Sequence, residues 1–97
     1  MIVINLKLSA KAAAAKVTRL GNWTLRGRSI ARVFRFDDFS AAIRFVDHVA
    51  KLAEAANHHP DIMINYNKVR LRLTTHDEGG LTEKDFRLAR KINGLVK

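Results

Sequence analysis

Ile62-Met63-Ile64-Asn65-Tyr66-Asn67-Lys68-Val69-Arg70-Leu71-Arg72-Leu73-Thr74 is the stretch that decides the architecture. Val69, Leu71 and Leu73 alternate with Arg70, Arg72 and Thr74. That period of two belongs to a strand with one buried face. The run Ile62 to Tyr66 precedes it, and the tight Asn67-Lys68 connection predicts an antiparallel hairpin with Val69 to Thr74. His76 lies just past the second strand, on its polar side.

Upstream, Asp37-Asp38 opens a long helix whose apolar stripe reads Phe39, Ile43, Val46, Val49/Ala50 and Ala53, and Pro60 ends it. Before that helix, Ser29 to Phe36 reads as a strand with Ile30, Phe34 and Phe36 on one face and Ala31 and Val33 on the other. Trp23-Thr24-Leu25 is a short strand, and the Gly27 region turns the chain between the two. Ser9 caps a first helix of strong formers, Ala10 onward, that ends near Gly21-Asn22. Downstream, Asp77-Glu78-Gly79-Gly80 is a loop. Thr82 then caps a last helix, with Asp85 in the capping-box position and Phe86, Leu88/Ala89, Ile92 and Leu95/Val96 buried. The order α-β-β-α-β-β-α predicts an α+β fold, a four-stranded antiparallel sheet with three helices packed on one face.

The chain has 97 residues, 47% of them hydrophobic and 28% charged, the balance of one globular domain spanning residues 1–97. With no cysteine, disulfides, cysteine-zinc sites and thiol nucleophiles are excluded. Short apolar runs broken by Arg or Lys exclude a bilayer span, and Met1-Ile2-Val3-Ile4 lacks the pattern of a secretory leader. A soluble, cytoplasmic protein is expected. The net charge is +9, and residues 1–36 carry eight basic side chains and no acid. Such a front end reads as an organelle transit segment, a surface for nucleic acid or another polyanion, or a solvated basic face; the strand pattern with Trp23 argues against the first, and the solvated face leads.

His58, His59 and His76 fall at element ends, where functional side chains are commonly mounted on a rigid frame. Imidazole exchanges a proton near neutral pH, which suits general acid–base work. Glu54, four residues before His58, is expected to stack beneath that ring and fix its tautomer. Metal binding is the other reading of a histidine cluster. Against it, adjacent side chains in an extended segment point apart, and no further His or Cys stands nearby as a fourth ligand. His48, beside Arg44 and Lys51, reads as solvated.

In order, Glu54-x3-His58-His59-Pro60-x5-Tyr66-x9-His76-x8-Asp85 resembles the signature of the pterin-4a-carbinolamine dehydratases. Phe34-Arg35-Phe36-Asp37-Asp38-Phe39, Tyr66-Asn67-Lys68-Val69, Leu73-Thr74-Thr75-His76 and Gly80-Leu81-Thr82 are similar to that family's wording, as are Trp23 and Gly27-Arg28. The resemblance covers roughly residues 20–93. It implies a hydro-lyase that removes water from a 4a-hydroxytetrahydropterin, giving the quinonoid dihydropterin for recycling, with no metal and no cofactor beyond the pterin substrate. By position, it implies a catalytic set of His58, His59 and His76. In that set His58 and His76 move protons and His59 chiefly orients the pterin. Asn57, Thr74 and Thr75 would add substrate contacts beside the histidines, and Glu54 and Asp85 would be supporting carboxylates. All three rings are expected in one pocket sized for a bicyclic heterocycle.

The resemblance also implies a homodimer or homotetramer, and Ile30, Phe34 and Phe36 could face either the core or that partner. Relatives often have Asp where this chain has Asn57, and aromatics where it has Ile62-Met63. Those departures bear on pterin affinity and pH optimum rather than on reaction class. Some members act instead as dimerisation cofactors of a homeodomain transcription factor. That coactivator role, a polyanion-binding module and an inactive assembly factor are the alternatives. They rank lower, because a pure binding module has no need of three histidines and two carboxylates at these intervals.

Overall fold

The computed structural model describes residues 6–96; the opening Met1-Ile2-Val3-Ile4 lies outside the described residues. Helix α1 (Ala10–Leu20) leads to strands β1 (Thr24–Arg26) and β2 (Ser29–Arg35), helix α2 (Phe39–Ala56), strands β3 (Asp61–Asn65) and β4 (Lys68–Leu73), and helix α3 (Glu83–Asn93). The strands form one antiparallel sheet in the order β1-β2-β4-β3, as the sequence pattern predicts. No helix among the described residues is long and apolar enough to cross a membrane.

The hairpin pattern is the core of the fold. Val69, Leu71 and Leu73 are fully buried under the helices, opposite Phe34, Arg32 and Ile30 of β2. Ile30 and Phe34 therefore face the core, and Phe36 packs against it. The turn itself is Tyr66-Asn67, not Asn67-Lys68. Tyr66 takes the left-handed conformation (φ 52°). The Asn67 amide donates instead to the Phe36 carbonyl at 2.9 Å, which ties the turn to the end of β2. That tie fixes Lys68 as the first residue of β4, opposite Asn65.

Ser9 caps α1 by accepting from the Ala12 N–H, and Gly21 closes it. In α2 the buried stripe is Ala42, Phe45, Val49 and Ala53, one residue round the helix from the expected Phe39-Ile43-Val46 line. Phe39 is 51% exposed, while Ile43 and Val46 are half-buried on the flank. The cause is aromatic packing. Phe45 lies 4.6 Å from the Phe34 ring and 4.9 Å from the Phe36 ring, which rotates the helix to put position 45 against β2. The predicted burial of Leu95 is also corrected: Gly94 caps α3, and Leu95 is 38% exposed beyond it.

Candidate functional site

Helix α2 stops before Pro60. Asn57 adopts the left-handed conformation (φ 50°), its N–H reaches the Glu54 carbonyl, and the His58 N–H reaches back to Ala53 at 3.1 Å. This is a Schellman closure, and asparagine is among the few non-glycine residues that accept it readily. Asn57 therefore acts as a helix terminator that sets the direction of His58, a role that sequence reasoning did not assign.

His58 and Glu54 do not pair, contrary to expectation. The His58 Nε2 meets Asp85 Oδ1 at 2.5 Å, while the Glu54 carboxylate meets His59 Nε2 at 3.3 Å. The helix ends at Ala56, so the (i, i+4) stacking geometry no longer applies to residue 58. The chain swings His58 toward α3 instead. The His58 side chain is 11% exposed and that of Asp85 is fully buried; the His59–Glu54 pair is open to solvent on both sides.

Asp85 does two jobs at once. Its Oδ2 accepts from the Thr82 backbone N–H at 2.9 Å, completing the capping box of α3, and from the Thr75 hydroxyl at 2.8 Å. Its Oδ1 is left for His58. Because Thr75 gives its only hydroxyl proton to Asp85, the Thr82 hydroxyl donates to Thr75 at 2.9 Å and accepts from the Lys84 N–H. Every group in this buried chain is satisfied, as a charge taken out of water requires. The capping-box spacing pointed to Asp85, but to only one of its two oxygens.

Thr75 also pairs through its backbone with Gly80, closing a loop that holds one turn of 3₁₀ helix, His76–Glu78. His76 starts that turn and is exposed. It lines a hollow of about 430 Å³ with Arg26, Arg28, Ser29, Arg72, Thr74 and Gly79. His58 lines a separate hollow of about 150 Å³ with Ala56, Lys84, Arg87, Leu88 and Lys91. Neither hollow gathers all three imidazoles. The link between His58 and His76 is the hydrogen-bonded chain through Asp85 and Thr75, which ends one residue short of His76.

A second polar centre lies at the other end of the sheet. The Asn93 carbonyl oxygen accepts from the Trp23 indole at 2.7 Å and from the Arg32 guanidinium at 2.6 Å. Arg32 stacks 4.3 Å from the centre of the Phe34 ring, and burial lowers its pKa below the ordinary arginine value. These residues support the fold; they lie apart from the histidines in sequence and share no hydrogen bond with them.

The model of the family described as "Pterin 4 alpha carbinolamine dehydratase" matches residues 6–95. A protein of Chloroflexus aurantiacus named "Putative pterin-4-alpha-carbinolamine dehydratase" is 56% identical over 90 residues, covering 93% of this chain and 97% of that one. A like-named protein of Acidobacterium capsulatum is 52% identical over the same length, with 93% and 98% covered. Among solved structures, the "transcriptional coactivator/pterin dehydratase" of Brucella melitensis superposes with a TM-score of 0.88 at 38% identity, covering 94% of this chain and 99% of that one. A pterin dehydratase-like RuBisCO assembly factor of the alpha-carboxysome shares the fold at a TM-score of 0.62 and 22% identity, over 75% of this chain and 84% of that one. With the signature residues set on a matching fold and nearly the whole length aligned, the chain belongs to the pterin-4-alpha-carbinolamine dehydratase family.

Proposed function

We propose that this protein dehydrates 4a-hydroxytetrahydropterin by histidine acid–base catalysis, in the recycling of a pterin cofactor. The reaction breaks the C4a–O and N5–H bonds, forms a C4a–N5 double bond and releases water. No electrons change hands, and neither a metal nor a further cofactor is called for. One group takes the N5 proton while another gives a proton to the departing hydroxyl.

The observation that carries this reading is the contact between His58 and the fully buried Asp85. A carboxylate that accepts from Nε2–H leaves Nδ1 as the proton-exchanging atom and steadies the imidazolium once it forms. His76 lines a different hollow from His58 and is linked to it through the Asp85–Thr75 chain. It is assigned as the second member of the acid–base pair, and His59, beside Glu54, as the ring that orients the pterin. Asn57 and Thr74 are assigned contacts with its hydrogen-bonding edge, while Thr75, buried with its hydroxyl committed to Asp85, supports the site through that carboxylate. Glu54 and Asp85 are positioning residues.

The test is direct. Purified, chelator-treated protein should speed the decay of 4a-hydroxytetrahydropterin produced by a pterin-dependent hydroxylase. His76→Ala should lower that rate by about two to four orders of magnitude, the usual worth of a general acid or base. Unchanged turnover in that variant removes His76 from the mechanism.

A homodimer or homotetramer working in the cytoplasm is part of the same proposal. Its support is the edge position of β3, whose Ile62, Met63 and Ile64 are all exposed. A second reading, a coactivator or polyanion-binding module on the same fold, draws on the double name of the Brucella protein and the acid-free basic stretch 1–36. Affinity for duplex DNA that falls steeply with salt would favour it, and no binding at low salt closes it.

A further inference from the structure

The hollow beside His76 contains more positive charge than dehydration of a neutral ring requires. Arg26 and Arg28 flank the Gly27 turn between β1 and β2, and Arg72 reaches in from β4. Strand pairing puts Arg26 opposite Ser29, and Ala31 opposite Arg72, so Arg26 and Arg72 project from the sheet face away from the helices. Arg72 is bound to Asp61 through Nε at 3.0 Å and Nη2 at 2.5 Å, which leaves Nη1 over. The guanidinium groups of Arg26 and Arg28 make no ion pair or hydrogen bond among the described residues.

The hydroxyls of the hollow do not compete for the donor role. Thr74 gives its proton to the Arg28 carbonyl at 2.6 Å, and Ser29 gives its own to the Arg26 carbonyl at 3.1 Å. These bonds brace the turn that carries the two arginines. Donor capacity toward a ligand therefore rests with the guanidinium forks, whose planar geometry matches the oxygens of a phosphate. Three such cations against one carboxylate leave a surplus suited to a phosphate dianion. The volume, about 430 Å³, lies within the roughly 300–1,000 Å³ of small-molecule sites.

We propose that Arg26, Arg28 and Arg72 form a subsite for a phosphate ester on the side chain of the substrate, so that the enzyme acts on phosphorylated 4a-hydroxytetrahydropterins. This rests on the catalytic reading of His76, which lines the same hollow and adjoins whatever the arginines hold. The three arginines bind and orient the anionic tail and move no proton.

The experiment compares 4a-carbinolamines made with and without a phosphate monoester on the C6 side chain, at low salt. The phosphorylated substrate should show a kcat/KM at least about tenfold higher, the worth of one charge-assisted hydrogen bond, mostly through KM. That ratio should shrink as ionic strength rises. Arg26→Gln and, independently, Arg28→Gln should each bring it toward one, with circular dichroism verifying the fold. Equal kcat/KM for the two substrates in the unaltered protein overturns the proposal, even if inorganic phosphate binds, since the hollow would then be a free-anion site. Should neither substrate turn over, the catalytic reading fails on its own. The subsite is then judged by phosphorus NMR titration with methyl phosphate: saturable binding lost in the Arg26→Gln/Arg28→Gln double variant supports it, and no binding overturns it.

Discussion

His58 Nε2 and Asp85 Oδ1 lie 2.5 Å apart, joining the end of α2 to the first turn of α3 across 27 residues of sequence. A single buried carboxylate thus closes a helix with one oxygen and holds an imidazole with the other. Stability and the proton-transfer site are coupled through that side chain. Both should respond when its charge is removed.

Asp85→Asn tests the coupling. An amide can still accept from Thr75 and Thr82, but its NH2 then faces Nε2 and forces the opposite tautomer on His58. The dehydration rate should fall by about two to four orders of magnitude, the range spanned by loss of general acid–base catalysis and by tautomer reversal. Thr82→Ala is the control. It removes the cap hydroxyl yet leaves the His58 contact, so its main effect should be on stability, about 1 kcal/mol or about 4–8 °C in Tm. Thermal melts and initial rates on the two variants separate the roles; equal rate losses in both would refute the tautomer argument.

Glu54→Gln should do little. The carboxylate pairs with His59 in a site where both side chains are more than half exposed. Exposed pairs contribute about 0.2–1 kcal/mol and are screened by salt. The expected outcome is an unchanged Tm, an unchanged kcat and at most a few-fold rise in KM, because His59 orients the pterin. A fall in kcat as large as that of Asp85→Asn would mean that Glu54 acts on the reacting proton after all.

The sheet was legible because Val69-Arg70-Leu71-Arg72-Leu73 has one period and one partner pattern, and burial enforces it. The α1 cap at Ser9 and the capping box of α3 were equally local and came through unchanged. What escaped was set by distant contacts. The rotation of α2 depends on Phe45 meeting Phe34 and Phe36, and the choice of carboxylate for His58 depends on where α2 stops. Spacing gave Glu54 to His58 only on the assumption of one more helical turn, which the left-handed Asn57 denies.

Asn93→Leu should destabilise the fold without touching the histidines. One carbonyl oxygen serves both the Trp23 indole and the half-buried Arg32 guanidinium, so its loss leaves two donors without a partner. Each unmet buried donor costs about 1–3 kcal/mol. Trp23 is the single tryptophan of the chain, so its emission reports the change directly, with a red shift and a lower unfolding midpoint. Asn93→Asp should retain the acceptor and much of the stability. If Asn93→Leu melts at the same temperature as the unaltered protein, the shared acceptor contributes nothing.

The ion pair between Lys16 of α1 and Glu83 of α3 predicts a pH-dependent term. The hydrogen bond from Lys16 holds the Glu83 carboxyl below its ordinary value, against the opposing effect of burial, with the charges of Lys16, Arg90 and Arg87 adding to the lowering. A carboxyl that is more acidic folded than unfolded contributes stability in full above its unfolded value, here 4.5, and loses it as the pH falls through the lower folded value. Glu83→Gln should therefore be less stable than the parent at pH 7 by on the order of 0.5 kcal/mol, the size of a partly exposed pair. The difference should narrow once the pH drops below that of free glutamate, and it should shrink at high ionic strength even at pH 7. Denaturant melts at several pH values measure it. A gap that stays constant down to strong acid would show that the carboxyl charge is not its source, and that the favourable placement of an acid in the first turn of α3 contributes nothing either.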